Sequence, residues 1–166
     1  MIVWYCTRRF LQVIGTKPTE EPGRATTTLG DWHANVADTR AGRLLVFANN
    51  KTFIPIGIPF SEVKHVEELF VARLGNLLGL LGIAWPAIER EMRATLPIQY
   101  ARASDRRQLG HLQSIVHQFQ AIAEDQRGQG PLSLSDAEVE VANMPHLGSF
   151  QAIPSDALHQ LFEVGD

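Results

Sequence analysis

Cysteine is almost missing from this chain, which has one, Cys6, among 166 residues. A single thiol forms no intrachain disulfide, so no covalent staple is available, and a reducing, cytoplasmic setting is expected. Long apolar runs are missing too. The most apolar stretch, residues 77–85, falls far short of the ~20 residues that a membrane span needs, and Arg73 and Asn76 stand just before it. The apolar run Ile2 to Cys6 precedes Arg8 and Arg9, the reverse of the order in a secretory leader, so no export signal is expected.

Basic residues are absent from 133–166, which carry Asp136, Glu138, Glu140, Asp156, Glu163 and Asp166. All 15 Lys and Arg therefore lie in residues 1–132 with the other 12 acids, a mildly basic body against an acidic C-terminal segment. With a net charge of -3 and dispersed bases, nucleic acid is not an expected partner. Catalytic signatures are lacking as well. There is no G-x-S-x-G elbow, no HExxH, no G-x-x-x-x-G-K-[ST] and no G-x-G-x-x-G. His111 and His117 are six apart, roughly 240° around a helix, and cannot share an ion. Asp31 and His33 share one side of a strand, but no second pair completes a metal site, so no metal or cofactor is implied.

What is present is ordinary globular composition, 45% hydrophobic and 20% charged, which excludes a disordered chain. One domain over residues 1–166 is expected, with a mobile loop near 16–28 and the acidic segment 133–166. Ile2 to Cys6 suits a buried strand, and Thr7 caps a short helix over 8–14 that ends at Gly15. Residues 16–28, with two prolines and five threonines, have no apolar period. Trp32, Ala34 and Val36 alternate with Asp31, His33 and Asn35, and a turn at Thr39 to Gly42 leads into Leu44 to Ala48, which predicts a hairpin. If Asp38 faces Arg43, His33 lies near Ala48 and Asp31 near Asn50. Thr52 to Ile58 is a third strand, pushed to a sheet edge by Pro55 and Pro59.

Ser61 is expected to cap a helix to Leu81, with Gly75, Gly79 and Gly82 allowing a close helix crossing. Pro86 opens another helix to Leu96, Ile98 to Ala101 form a short strand, and Ser104 or Asp105 caps a long helix along Leu109, Leu112, Val116, Phe119 and Ala123. Residues 135–143 fit both a capping box, Ser135 with Glu138, and strand alternation; the helix is expected. Ser155 is expected to cap a last helix. The predicted fold class is α+β: a small, mainly antiparallel sheet with the helices packed on one face.

The most suggestive chemistry is at Ser104-Asp105-Arg106-Arg107, where two guanidinium groups flank the N-terminus of the long helix and an anion would dock; pairing with tail acids or solvent is the competing reading. Arg8 and Arg9 carry the same two readings. The polar face of the hairpin adds Asp31, His33, Asn35 and Asn49, and His111 lies one turn into the long helix.

Four blocks carry a resemblance to a known family: Cys6-Thr7-Arg8-Arg9, the run Leu29 to Asn35, the run Val46 to Thr52, and Asp105 to Leu112. The chain resembles an uncharacterised bacterial family, domain of unknown function 6933, with departures at Arg107, His111 and Gln113. The resemblance implies no established activity. Two readings stay open. One is a non-enzymatic interaction or accessory protein, in a defence, toxin-antitoxin or mobile-element setting, with a protein partner. The other is a small enzyme or binding domain for an anionic, nucleotide-like ligand held by Arg106, Arg107, Asp31, His33 and Asn35, provided that the hairpin meets the start of the long helix.

Overall fold

A computed structural model describes residues 1–145 and 153–164. The elements run β1 (Ile2–Cys6), α1 (Arg8–Ile14), β2 (Trp32–Thr39), β3 (Gly42–Asn49), β4 (Pro55–Pro59), a 3-10 turn (Phe60–His65), α2 (Val66–Leu80), α3 (Trp85–Thr95), β5 (Ile98–Arg102), α4 (Arg106–Asp125), α5 (Leu134–Ala142) and α6 (Pro154–Val164). Local signals set many boundaries. Thr7 Oγ1 accepts the Phe10 N–H and Gly15 closes α1 at φ 72°, while Asp105 caps α4 by accepting the Arg107 and Gln108 N–H groups. Elsewhere the cap moves. Ser61 lies inside the 3-10 turn and α2 begins at Val66. Ser133, not Ser135, caps α5, and Ser155 sits within α6 and donates to Asn143 Oδ1.

The five strands form one sheet in the order β4-β3-β2-β1-β5. The hairpin register is the expected one, with Asp38 opposite Arg43 and His33 opposite Ala48. The sheet as a whole is mixed, not mainly antiparallel: β2-β3 and β3-β4 are antiparallel, but β1 is parallel to both β2 and β5. Parallel neighbours need long crossovers, and those crossovers are the segment holding α1 and the one holding α2 and α3. Pro55 and Pro59 do lie on an edge strand.

Strand alternation sends side chains to two separate cores. Trp4, Trp32, Phe47 and Ile56 pack with Phe10 of α1, Phe70 and Leu74 of α2, Ile88 of α3 and Leu158 of α6. Trp4 lies at the centre of this cluster, its ring 4.6 Å from Phe47 and 5.0 Å from Phe70 between centroids. Ala37, Leu44, Val46 and Ala48 face the other way and pack with Leu112, Ile115, Val116 and Phe119 of α4. The two longer helices therefore lie on opposite faces, a correction to the one-face expectation. Each helix carries an apolar stripe, and periodicity identifies a buried face without saying which side of the sheet buries it.

α5 closes the β4 edge. Glu138 is fully buried, accepts the Gly57 N–H at 2.9 Å and pairs with Arg73 of α2 at 2.8 Å, joining the acidic segment to the basic body. Residues 146–152 and 165–166 of that segment lie outside the described residues. Of the three glycines expected at a close crossing, Gly75 is the tight one: a Cβ there would stand 2.4 Å from Met92 Sδ of α3, whereas one on Gly79 would meet Ile88 Cδ1 at 3.9 Å and Gly82 lies beyond α2.

Candidate functional site

The second face of the sheet is only partly covered by a helix. α4 lies over β2 and β3. Beside it the loop after α1 is tied along β5, with Thr19 N–H donating to Tyr100 O at 2.7 Å and Gly23 N–H to Gln99 Oε1 at 2.7 Å. Between α4 and that loop the sheet surface is hollowed.

One hollow, about 330 Å³, is lined by Tyr5, Asp31, His33 and Asn50 from the sheet side and by Ser104, Asp105 and Gln108 from the start of α4. The hairpin and the helix start do meet. Gln108 Nε2 donates to Asn50 O at 3.1 Å, which fixes the junction.

Each side chain has a traceable support. Glu91 of α3 is buried and accepts the N–H groups of Thr28 and Leu29 at 2.9 and 2.8 Å, anchoring the chain that leads into Asp31. Gly30 follows at φ 74°, a left-handed conformation, with the Lys51 side chain packed where a Cβ would point. Asp31 Oδ1 then accepts the Val3 N–H at 2.8 Å. Burial pushes the Asp31 carboxyl up, against the lowering effects of that hydrogen bond, Lys51 and His33.

His33 stands opposite Tyr5 in the parallel register and stacks on it, ring centroids 5.3 Å apart. Its Nδ1 is 2.7 Å from Asn50 Oδ1, so Nδ1 carries the proton and Nε2 keeps its lone pair. Burial holds the imidazole below the usual histidine range despite the raising influence of Asn50, Asp105 and Asp31, so the ring is neutral at pH 7. Nε2 is buried and has no hydrogen-bond partner among the described residues. Tyr5 is pushed up by burial and by Asp31, so its phenol stays protonated.

Asn50 is presented by a clamped turn. Asn49 is fully buried; its Oδ1 accepts from Lys51 N–H, Thr52 N–H and Thr52 Oγ1–H, and its Nδ2 donates to Leu29 O and Asp31 O. Phe53 closes the turn at φ 62°, held by its N–H to Asn49 O.

Two of the sequence candidates, Asp31 and His33, line this hollow. The others are placed elsewhere. Asn35 Oδ1 accepts from Thr7 Oγ1 and from the Val36 N–H, and Asn49 is the turn clamp. Arg106 and Arg107 are exposed and line no part of the hollow, and the N–H groups of Arg107 and Gln108 already donate to the Asp105 carboxylate, which occupies the place an anion would take. His111 is buried against Phe53, ring centroids 4.1 Å apart, and burial lowers its pKa first, Arg107 second. Sequence reasoning missed Tyr5 and Gln108 as site residues. Tyr5 is visible as the off-phase residue in the alternation of β1, but nothing in the chain indicates that β1 lies beside His33.

Cys6 lies on the other face, in the core with Trp4, and burial raises its thiol pKa far above the usual range. It is not a nucleophile for this hollow. A separate hollow of about 490 Å³ near Gly42 and Pro131 is mostly apolar, and its Arg43 is committed to Asp38 and the Phe60 ring. Among the described residues no group of three or more His, Cys, Asp or Glu is placed to hold a metal ion, and no helix is long and apolar enough to cross a membrane.

The arrangement defines an α+β protein with a mixed sheet and a polar, acceptor-rich hollow beside the start of its longest helix. The chain belongs to the family described as Domain of unknown function (DUF6933), whose model matches residues 3–155. No curated protein matches the chain.

Proposed function

We propose that this protein is a non-enzymatic binding protein whose recognition site is the hollow beside Tyr5, Asp31 and His33, and that it takes a group rich in hydrogen-bond donors. The observation that carries this reading is His33 Nε2, a buried acceptor without a partner on a ring that lines the hollow. A buried polar atom left unpaired costs about 1–3 kcal/mol, and a bound donor recovers it. The Asp31 carboxylate and the Tyr5 hydroxyl add acceptors, and Asp105 adds negative charge, so the hollow favours an amino, amide or cationic group over an anion. Two potential nucleophiles are out of play, which supports binding over chemistry: the thiol faces the opposite core, and the Tyr5 phenol is held protonated.

Titration calorimetry of the full chain with adenosine, cytidine and agmatine tests the reading. At least one is expected to bind at pH 7.5, with His33→Phe and Asp31→Asn each weakening it tenfold or more while the melting temperature is retained. Binding is also expected to weaken as the pH falls through the lowered His33 pKa, because protonation turns the Nε2 acceptor into a donor. No heat from any of the three, or heats that both variants leave unchanged, refutes the proposal.

A further inference from the structure

The hollow beside His33 is one end of a longer groove. A second hollow of about 820 Å³ shares Tyr5 and Ser104 with it as a common wall and is bounded by the loop residues Lys17 to Glu20 and by Ala101 and Arg102. A third, about 310 Å³, shares Lys17, Pro18 and Arg102 with the second and adds Arg8. Charge changes sign along this path. Asp31 and Asp105 stand at one end, and Arg8, Lys17 and Arg102 at the other, with Glu20 the one acid in the middle.

The three cations are exposed and form no ion pair among the described residues, unlike Arg9, Arg40, Arg43 and Arg73, each of which has an acidic partner. Three like charges around one trough repel one another and are stabilised by an anion, for which guanidinium groups offer paired N–H donors. Tyr5, its ring stacked on His33, stands at the join as a wall of both hollows.

Resting on the reading that the His33 hollow is the ligand site, we infer that the groove binds a nucleoside phosphate. An amino-bearing base sits against Asp31 and His33, stacked beside Tyr5, and the phosphate lies among Arg8, Lys17 and Arg102. The donor-rich head and the anionic tail are matched to opposite ends, so neither half alone fills the groove. Arg106 and Arg107, the basic pair most conspicuous in the sequence, take no part.

Titration calorimetry of the full chain with AMP, UMP, adenosine and pyrophosphate tests this in about 50 mM and 300 mM salt. AMP is expected to bind at least tenfold more tightly than adenosine, UMP and pyrophosphate, and less tightly at high salt. Arg102→Gln and Lys17→Gln are expected to bring AMP down to the affinity of adenosine without changing adenosine itself. Asp31→Asn is expected to weaken AMP and adenosine alike, and Arg106→Gln to change neither. If AMP and adenosine bind equally and Arg102→Gln has no effect, the inference fails while the His33 hollow stands as a donor site. If pyrophosphate binds as tightly as AMP, the nucleoside half of the inference is wrong. Silence from both adenosine and AMP overturns the inference, and the reading beneath it falls too if cytidine and agmatine are also silent.

Discussion

Removing the Glu91 carboxylate should loosen the whole approach to the site. Glu91 is 2% exposed, and its two oxygens accept the N–H groups of Thr28 and Leu29, so the side chain joins α3 to the end of the long loop two residues before Asp31. Hydrogen bonds to a charged group contribute about 1.5–3 kcal/mol each, and two sharing one carboxylate add less than twice that, so Glu91→Ala should cost about 3 kcal/mol. In a domain of this size that corresponds to a fall in Tm of roughly 6–12 °C. Glu91→Gln keeps one acceptor and turns an amino group toward the other N–H, so about half the loss is expected. Urea unfolding measures the free energies, and amide exchange at Thr28 and Leu29 reports the local effect. Glu89→Ala, which removes an exposed pairing with Arg93, is the control and should change stability by less than about 0.5 kcal/mol. If Glu91→Ala costs no more than that control, or Leu29 exchange is unchanged, the loop is not held by this carboxylate and the account of how Asp31 is positioned is wrong.

Burial pushes the Glu138 carboxyl up to about 7 from 4.5, against the lowering effects of Arg73 and the Gly57 N–H, so the folded chain holds this proton more tightly than the unfolded one. Its contribution is full below the unfolded value and is lost as pH rises through about 7, a change of roughly 3 kcal/mol at 1.4 kcal/mol per unit. His33 and His111 are shifted down, and their contributions are lost as pH falls, so the comparison must be wild type against Glu138→Gln. Wild type should lose stability relative to Glu138→Gln from pH 5 to pH 8 in urea titrations, and a constant difference would refute the linkage. In α2, Gly75→Ala should be neutral to destabilising by up to about 1 kcal/mol, because the partly buried Met92 side chain must move aside and this offsets the helix propensity gained. Gly79→Ala, whose added Cβ meets Ile88 Cδ1 at an ordinary 3.9 Å, should be neutral or stabilising by up to about 1 kcal/mol, and equal effects at the two positions would show that the crossing is not tight.

Much of the local structure was legible in the sequence because it depends on neighbours in the chain. Thr7 and Gly15 bound α1, Asp105 opens α4, and the alternation of Trp32, Ala34 and Val36 with the turn at Thr39 to Gly42 marks the hairpin, whose register is the one that follows when Asp38 faces Arg43. The same alternation placed Asp31 and His33 together. A hairpin is a local object, and one slip in its register would turn a buried face outward.

What the tertiary structure alone decided is where distant segments meet. Nothing near Ile2 to Cys6 says that β1 lies between β2 and β5 with both running parallel to it, yet that pairing sets Tyr5 against His33 and makes half the sheet parallel. Nor does the apolar stripe of α4 say which face it covers, and by lying over β2 and β3 it leaves the surface beside β1 and β5 to form the groove. Arg106 and Arg107 drew notice because they are adjacent in the chain, whereas Arg8, Lys17 and Arg102 come from three separate segments and are joined only by folding. Periodicity records that a side chain is buried, while the choice of partner is made by loop closure and packing between residues far apart in sequence, which no local pattern encodes.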